Sequence, residues 1–259
     1  MKNLYRLINF EFGIICKFML GISILLISGQ NLLLYLAGRD YFSGRYIPFE
    51  KLISISGLPV LFYICLGLVL ACCIYGVLAN YMGSKSVYTL MTLPQSRGSV
   101  FMAKAAADAI GLLMLVAAQF VSIFIGYLLF SSSIPSAENG EIVLEKPVNG
   151  LFLAFVRSDF LRILFPLNME SFISTLSILI SVLLAVFFII FCLQSGKYLN
   201  IGFAILNIVL VIYIITCRAN AMIGWREPNL YLYSLILAGL CIYYIRQSMR
   251  WIARGTVMG

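Results

Sequence analysis

The chain has no histidine and few charged residues. Without histidine it cannot contain a His-based catalytic triad, a histidine metal site or the zinc-protease helix motif. Charged residues make up 11% of its 259 residues, against roughly 25% in a typical soluble domain. Hydrophobic residues make up 62%. A single soluble core of this length cannot bury so much apolar surface, so we expect a polytopic membrane protein.

Other motifs that carry chemistry are missing as well. The sequence has no Cys-x-x-Cys, no Ser-x-x-Lys and no Gly-x-Ser-x-Gly. Gly196 and Lys197 are followed by Tyr198, and Phe191 stands where a phosphate-binding loop needs its first glycine. The seven cysteines lie in or beside apolar runs, which is typical of helix packing rather than of a disulfide framework. We therefore expect no enzymatic activity, no metal and no cofactor on this chain.

Six apolar runs are close to the length that spans a bilayer as an α-helix. They predict an all-α fold with one transmembrane domain over residues 1–259 and spans at about 18–36, 58–80, 105–130, 172–193, 201–217 and 229–245. With the N-terminus in the cytosol, the whole net charge of +8 falls on the cytosolic side. The distribution of basic residues thus favours a multi-pass protein of the cell membrane with both termini cytosolic. The basic rim would lie against anionic lipids, and its spread along membrane edges argues against nucleic-acid binding.

Two segments outside the spans have an amphipathic pattern. Before the first span, Leu4, Leu7 and Ile15 can share one helical face, which predicts a short N-terminal helix in the headgroup plane. The outer loop 131–171 begins polar and becomes apolar after Asn149, which could cap a helix there. We expect this loop to hold an amphipathic or re-entrant helix near the outer leaflet.

Polar and small residues inside the spans are candidates for a translocation path or for helix packing. Gln30, Asn31 and Gln119 could line a substrate path, or they could hydrogen-bond between helices. Ala103, Ala107 and Gly111 form a small-xxx-small series that favours close helix contact, within one chain or between subunits. For Asp108, which lies one turn after Lys104, we expect an ion pair with that lysine on the helix surface.

The inner segment 81–104 connects the second and third spans and is longer than a turn requires. It is basic and carries no acidic residue. A serine can cap a short helix that runs to about Leu93, where Pro94 ends it. A polar turn then leads to a second helix that begins near Ser99 and runs into the third span. The segment therefore predicts a short helix parallel to the membrane.

This segment resembles a known family. Leu90-Met91-Thr92-Leu93-Pro94-Gln95-Ser96-Arg97, followed by Val100 and Lys104, is similar to the leucine-threonine-leucine-proline-x-serine-arginine pattern of type-2 ATP-binding-cassette (ABC) exporter permeases. The resemblance covers the whole chain in layout but few residues in sequence. The chain departs from the family at Gly83-Ser84-Lys85, where many members carry an acidic residue that helps dock the ATPase.

The resemblance implies a permease subunit that pairs with a second copy or a paralogue and docks on a separate ABC ATPase, which binds ATP and Mg. It implies export of an amphipathic substrate such as a peptide antibiotic, a drug or a lipid-like molecule. The cytosolic coupling helix would dock through residues that combine apolar anchors with flanking cations: Lys85, Tyr88, Leu90, Met91, Leu93 and Arg97.

Two other classes of function remain open at the level of sequence. An ion-gradient-driven secondary transporter or channel would need charged or strongly polar residues at the bilayer midplane, where this chain has neutral amides. An integral membrane enzyme that modifies lipids would need a catalytic cluster, and the missing histidine argues against one.

Overall fold

The computed structural model describes residues 2–41, 48–82, 97–132, 150–221 and 229–253. These residues are almost entirely α-helical, and none of them lies in a strand. Six of the described helices are long and apolar enough to cross a membrane, which confirms the predicted all-α polytopic fold at that level. The predicted coupling helix falls on 83–96 and so lies outside the described residues.

The helices follow one another in chain order with short connections in the second half. Their bounds are α1 Lys2–Tyr41, α2 Phe49–Ile55, α3 Leu58–Met82, α4 Arg97–Ser132, α5 Gly150–Arg157, α6 Asp159–Leu164, α7 Met169–Gln194, α8 Ile201–Ala221 and α9 Leu230–Ala253, with a 3-10 turn at Tyr198–Asn200. Two tight connections use glycine with positive φ, Gly57 before α3 and Gly196 after α7. This left-handed conformation is favourable for glycine because it has no Cβ.

The first membrane helix is much longer than the predicted span 18–36. Residues 2–41 form one continuous helix, so no break separates the N-terminal amphipathic segment from the span. At 1.5 Å per residue, α1 is about 60 Å long and α4 about 54 Å, whereas the hydrocarbon core of a bilayer is about 30 Å thick. Both helices are therefore much longer than the hydrocarbon core is thick.

Helices α1, α3 and α4 form the N-terminal half of the bundle. Along α1, Met19 contacts Gly111 and Leu34 contacts Gly126 of α4, so the two helices run parallel. Helix α3 runs antiparallel to α1. Gly29 of α1 contacts Leu61 near the start of α3, whereas Phe18, which comes earlier in α1, packs edge-on against Tyr75 near the end of α3. The N-termini of α1 and α4 therefore lie beside the C-terminus of α3. We call this end of the molecule the N-terminal end of the bundle.

Helices α7, α8 and α9 form the second half. The ring of Phe188 on α7 stacks on Trp251 of α9, with ring centroids 5.4 Å apart, and Phe203 of α8 packs on Tyr243 of α9 at 4.8 Å. The two halves join where Phe101 of α4 meets Phe187 of α7 at 5.8 Å. Aromatic packing of this kind supplies large apolar contact area with a defined geometry.

Short helices cover the opposite end of the bundle. The outer loop 131–171 contains α5 and α6, two helices with a break at Ser158 rather than the single helix expected. The buried guanidinium of Arg218, at the end of α8, donates to the Ile163 carbonyl at 3.1 Å and to Thr175 Oγ1 at 2.8 Å. A cation that binds the last carbonyls of a helix satisfies groups that the helix leaves unpaired. Arg218 thereby fixes α6 to α7 and α8.

Candidate functional site

The predicted docking segment is attached to the N-terminal end of the bundle. Lys85, Tyr88, Leu90, Met91 and Leu93 lie outside the described residues. The structure describes the two helices that hold the segment: α3 ends at Met82, and α4 begins at Arg97.

A buried ion pair ties these helix ends to α1. Lys104 Nζ of α4 lies 2.7 Å from Glu11 Oε2 of α1, and it also donates to the Gly76 carbonyl of α3 at 3.4 Å. Glu11 is 4% exposed and Lys104 is 9% exposed. One ammonium group therefore binds α1, α3 and α4 together at the end of the bundle from which the segment 83–96 departs.

Asp108 does not form the ion pair that we expected with Lys104. The lysine that we expected to pair with Asp108 on the helix surface bonds Glu11 instead. Asp108 is 4% exposed and lies beside the thiol of Cys73 on α3. Its carboxylate thus lies inside the bundle, near Lys104 and Glu11. The long side chain of Lys104 reaches across to α1, so it does not remain on its own helix surface.

Sequence reasoning missed Glu11 as a member of this group. The signal was its spacing, since Leu7, Glu11 and Ile15 recur every four residues and all three are buried. An acidic residue in the middle of a buried helical stripe requires a cationic partner on a neighbouring helix. The sequence does not show which cation that is.

The small-residue series lies inside the chain. Ala103 and Ala107 are buried, and a Cβ at Gly111 would lie 2.9 Å from Met19 Cε of α1. The absence of a side chain at Gly111 lets Met19 fill the space between the helices. Of the two alternatives for the series, this geometry is that of contact within one chain.

The three polar residues of the predicted translocation path also lie in the seam between α1 and α4. Gln30 Nε2 donates to Gln119 Oε1 at 2.8 Å and to the Leu58 carbonyl of α3 at 3.4 Å. Both glutamines are 0% exposed. Asn31 is half-buried, and its amide donates to the Ile27 carbonyl of its own helix at 2.7 Å. The structure brings Gln30 and Gln119 together as an interhelical hydrogen bond, which is the packing alternative.

Within the described ranges, no group of three or more His, Cys, Asp or Glu side chains is arranged to hold a metal ion. The polar residues described above form an ion pair and hydrogen bonds between helices. Comparison of the chain with protein-family models, with curated proteins and with solved structures finds no match.

Proposed function

We propose that this chain is the transmembrane permease subunit of an ABC exporter and couples ATP hydrolysis by a separate ATPase to export of an amphipathic substrate. The observation that carries the proposal is the motif at Leu90–Arg97, which lies between two membrane helices of a six-helix bundle. On this proposal the chain resides in the cell membrane with both termini cytosolic. ATP and Mg would bind to the partner ATPase.

The contacts at the N-terminal end support a mechanical role for the segment 83–96. A partner that pushes on this segment moves the end of α3 and the start of α4 directly. The Glu11–Lys104 ion pair, with Lys104 also bound to the Gly76 carbonyl, then carries the displacement to α1. Since α1 and α4 run in parallel and are both longer than the hydrocarbon core is thick, the three helices can move as one unit. A permease driven by an external ATPase needs such a rigid connection.

The second half of the bundle leaves surface for a paired permease. Only 22% of the apolar span in α8 is buried inside the chain, and the share for the apolar span in α9 is also 22%. Exposed apolar side chains on these helices include Ile205, Ile212 and Leu235. Lipid or a second permease can cover these faces, and a pair of chains would supply twelve spans.

Co-purification of the ATPase tests the proposal. The chain is affinity-purified from its native membrane in mild detergent, and the eluate is analysed by mass spectrometry and for Mg-dependent ATP hydrolysis. We expect an ABC ATPase with the unmodified chain and its loss when Leu90 and Leu93 are replaced by Asp. Leu199→Asp is the matched control, because Leu199 is 97% exposed at the same end of the bundle but on another connection. Full retention of the ATPase by the Leu90/Leu93 variant would contradict the docking account.

The buried charges favour one second candidate, an ion-gradient-driven transporter. Glu11, Lys104 and Asp108 place two carboxylates and one ammonium inside the bundle. Buried ionisable groups in membrane helices often mark proton or ion pathways. Proton flux into vesicles that contain only this chain, abolished by Asp108→Asn, would establish this function and displace the exporter proposal.

A further inference from the structure

A layer of polar side chains crosses the N-terminal half of the bundle between two apolar clusters. Towards the N-terminal end, Leu26 and Leu115 belong to the large core cluster. Towards the opposite end, Leu34, Leu58 and Ile123 belong to a second cluster. The polar layer between them consists of Gln30, Asn31, Gln119 and Ser122.

Among the residues that the structure describes, each of these four side chains has a buried polar atom to which no other protein group is hydrogen-bonded. The atoms are Gln30 Oε1, Asn31 Oδ1, Gln119 Nε2 and Ser122 Oγ. Gln30, Gln119 and Ser122 are all 0% exposed. Their single shared bond, from Gln30 Nε2 to Gln119 Oε1, leaves the second polar atom of each amide unused. An unsatisfied polar atom in the interior loses its hydration without replacement, so native structures pair nearly all such atoms.

The four side chains of the polar layer lie along one face of α4. On α4, Ser122 follows Gln119 by three residues and precedes Gly126 by four, so all three lie on the same helix face. Asn31 Oδ1 points at this face, since it lies 3.3 Å from the position that a Cβ of residue 126 would take. Ser122 is thus placed between the glutamine pair and the asparagine. Because residue 126 is a glycine, Asn31 Oδ1 can approach the backbone of α4 at this position without meeting a side chain.

We propose that this polar layer is a binding site for ordered water between α1 and α4. Gln30 Oε1 and Asn31 Oδ1 accept hydrogen bonds, Gln119 Nε2 donates them and the Ser122 hydroxyl does both. Water both donates and accepts, and a buried water typically makes about three hydrogen bonds to groups that lack other partners. Water molecules in the layer therefore form the missing hydrogen bonds of all four side chains.

The composition of the layer selects water over other ligands. Its four side chains are neutral, so a bound ion would have no counter-charge among them. Apolar side chains enclose the layer on both sides, which leaves no charged or aromatic anchor within it for a larger ligand. The proposal does not depend on an ATPase partner, and its failure would leave the exporter proposal untouched.

The first test is an experimental structure of the full chain at a resolution that shows ordered water elsewhere in the protein. We expect density peaks within hydrogen-bonding distance, about 2.7–3.2 Å, of at least two of the four atoms. The absence of such peaks overturns the proposal, and so does continuous density from a larger molecule.

A pair of serine variants gives a second, independent test. Ser122→Ala removes a hydroxyl that the proposal assigns to bound water, so we expect the thermal unfolding midpoint to fall by a few degrees. In a dry layer the same change deletes an unsatisfied group and the midpoint stays or rises, which overturns the proposal. Ser181→Ala is the matched control: Ser181 is equally buried, but its hydroxyl already donates to the Ile178 carbonyl at 2.9 Å. We expect the thermal unfolding midpoint of Ser181→Ala to shift by less than the midpoint of Ser122→Ala.

Discussion

Removal of the Lys104 ammonium group is the sharpest perturbation of the N-terminal end of the bundle. Lys104→Met keeps most of the length of the side chain and its apolar stem. It deletes the 2.7 Å ion pair with Glu11 and the 3.4 Å hydrogen bond to the Gly76 carbonyl. Glu11 and Asp108 then both remain buried, and the Lys104 ammonium group no longer lies near them.

The expected loss follows from burial. The side chains of Lys104 and Glu11 are 10% and 3% exposed, and breaking a buried ion pair from one side costs about 3–5 kcal/mol because the other charge stays buried. Removing both charges avoids that penalty. We therefore expect the double variant Glu11→Leu/Lys104→Met to recover about half or more of the stability that Lys104→Met loses.

A second ion pair in the same protein provides the control. Arg157 NH1 lies 3.3 Å from Glu50 Oε1, but the arginine side chain is 61% exposed. Exposed pairs contribute about 0–1 kcal/mol, so Arg157→Met should cost far less. The free energies of unfolding are measured by denaturant titration in detergent for all variants. Equal losses for Lys104→Met and Arg157→Met, or no recovery in the double variant, would refute the reasoning.

Two further variants test contacts that the structure assigns. A Cβ at residue 126 would lie 2.5 Å from Leu34 Cδ1, so we expect Gly126→Val to lower stability by about 1–3 kcal/mol through overpacking. In the double variant Gly126→Val/Leu34→Ala, the loss of stability measured by thermal unfolding should be smaller than the sum of the losses in the two single variants. Losses that simply add would contradict the contact. Arg218→Met removes charged donors to Thr175 Oγ1 and the Ile163 carbonyl and should cost about 2–3 kcal/mol. Thr175→Val leaves the bond to the carbonyl in place, so it should cost less; an equal cost would count against the role of Arg218.

Hydrophobic run length was enough to predict the six membrane helices, because a segment in lipid must satisfy its own backbone and an α-helix is the simplest way to do so. Run length did not predict that α1 is one continuous helix, whereas the polar turn after Pro94 predicted a helix start near Ser99, close to the start of α4 at Arg97. Glu11 and Lys104 lie outside the predicted spans 18–36 and 105–130, yet α1 and α4 continue through them. A charge interrupts a hydrophobic run in the sequence, but it does not break a helix when a partner on another helix neutralises it.

The sequence by itself determined the fold class, the helical spans and the absence of the common catalytic motifs, since these depend on composition and on local pattern. Only the tertiary structure decided which polar residues meet. It joined Glu11 to Lys104 and Gln30 to Gln119, and it left Asp108 beside a cysteine. These partners are far apart in the chain and come together through the packing of α1, α3 and α4. Their pairing depends on the relative rotation and axial position of two helices, which local periodicity does not encode.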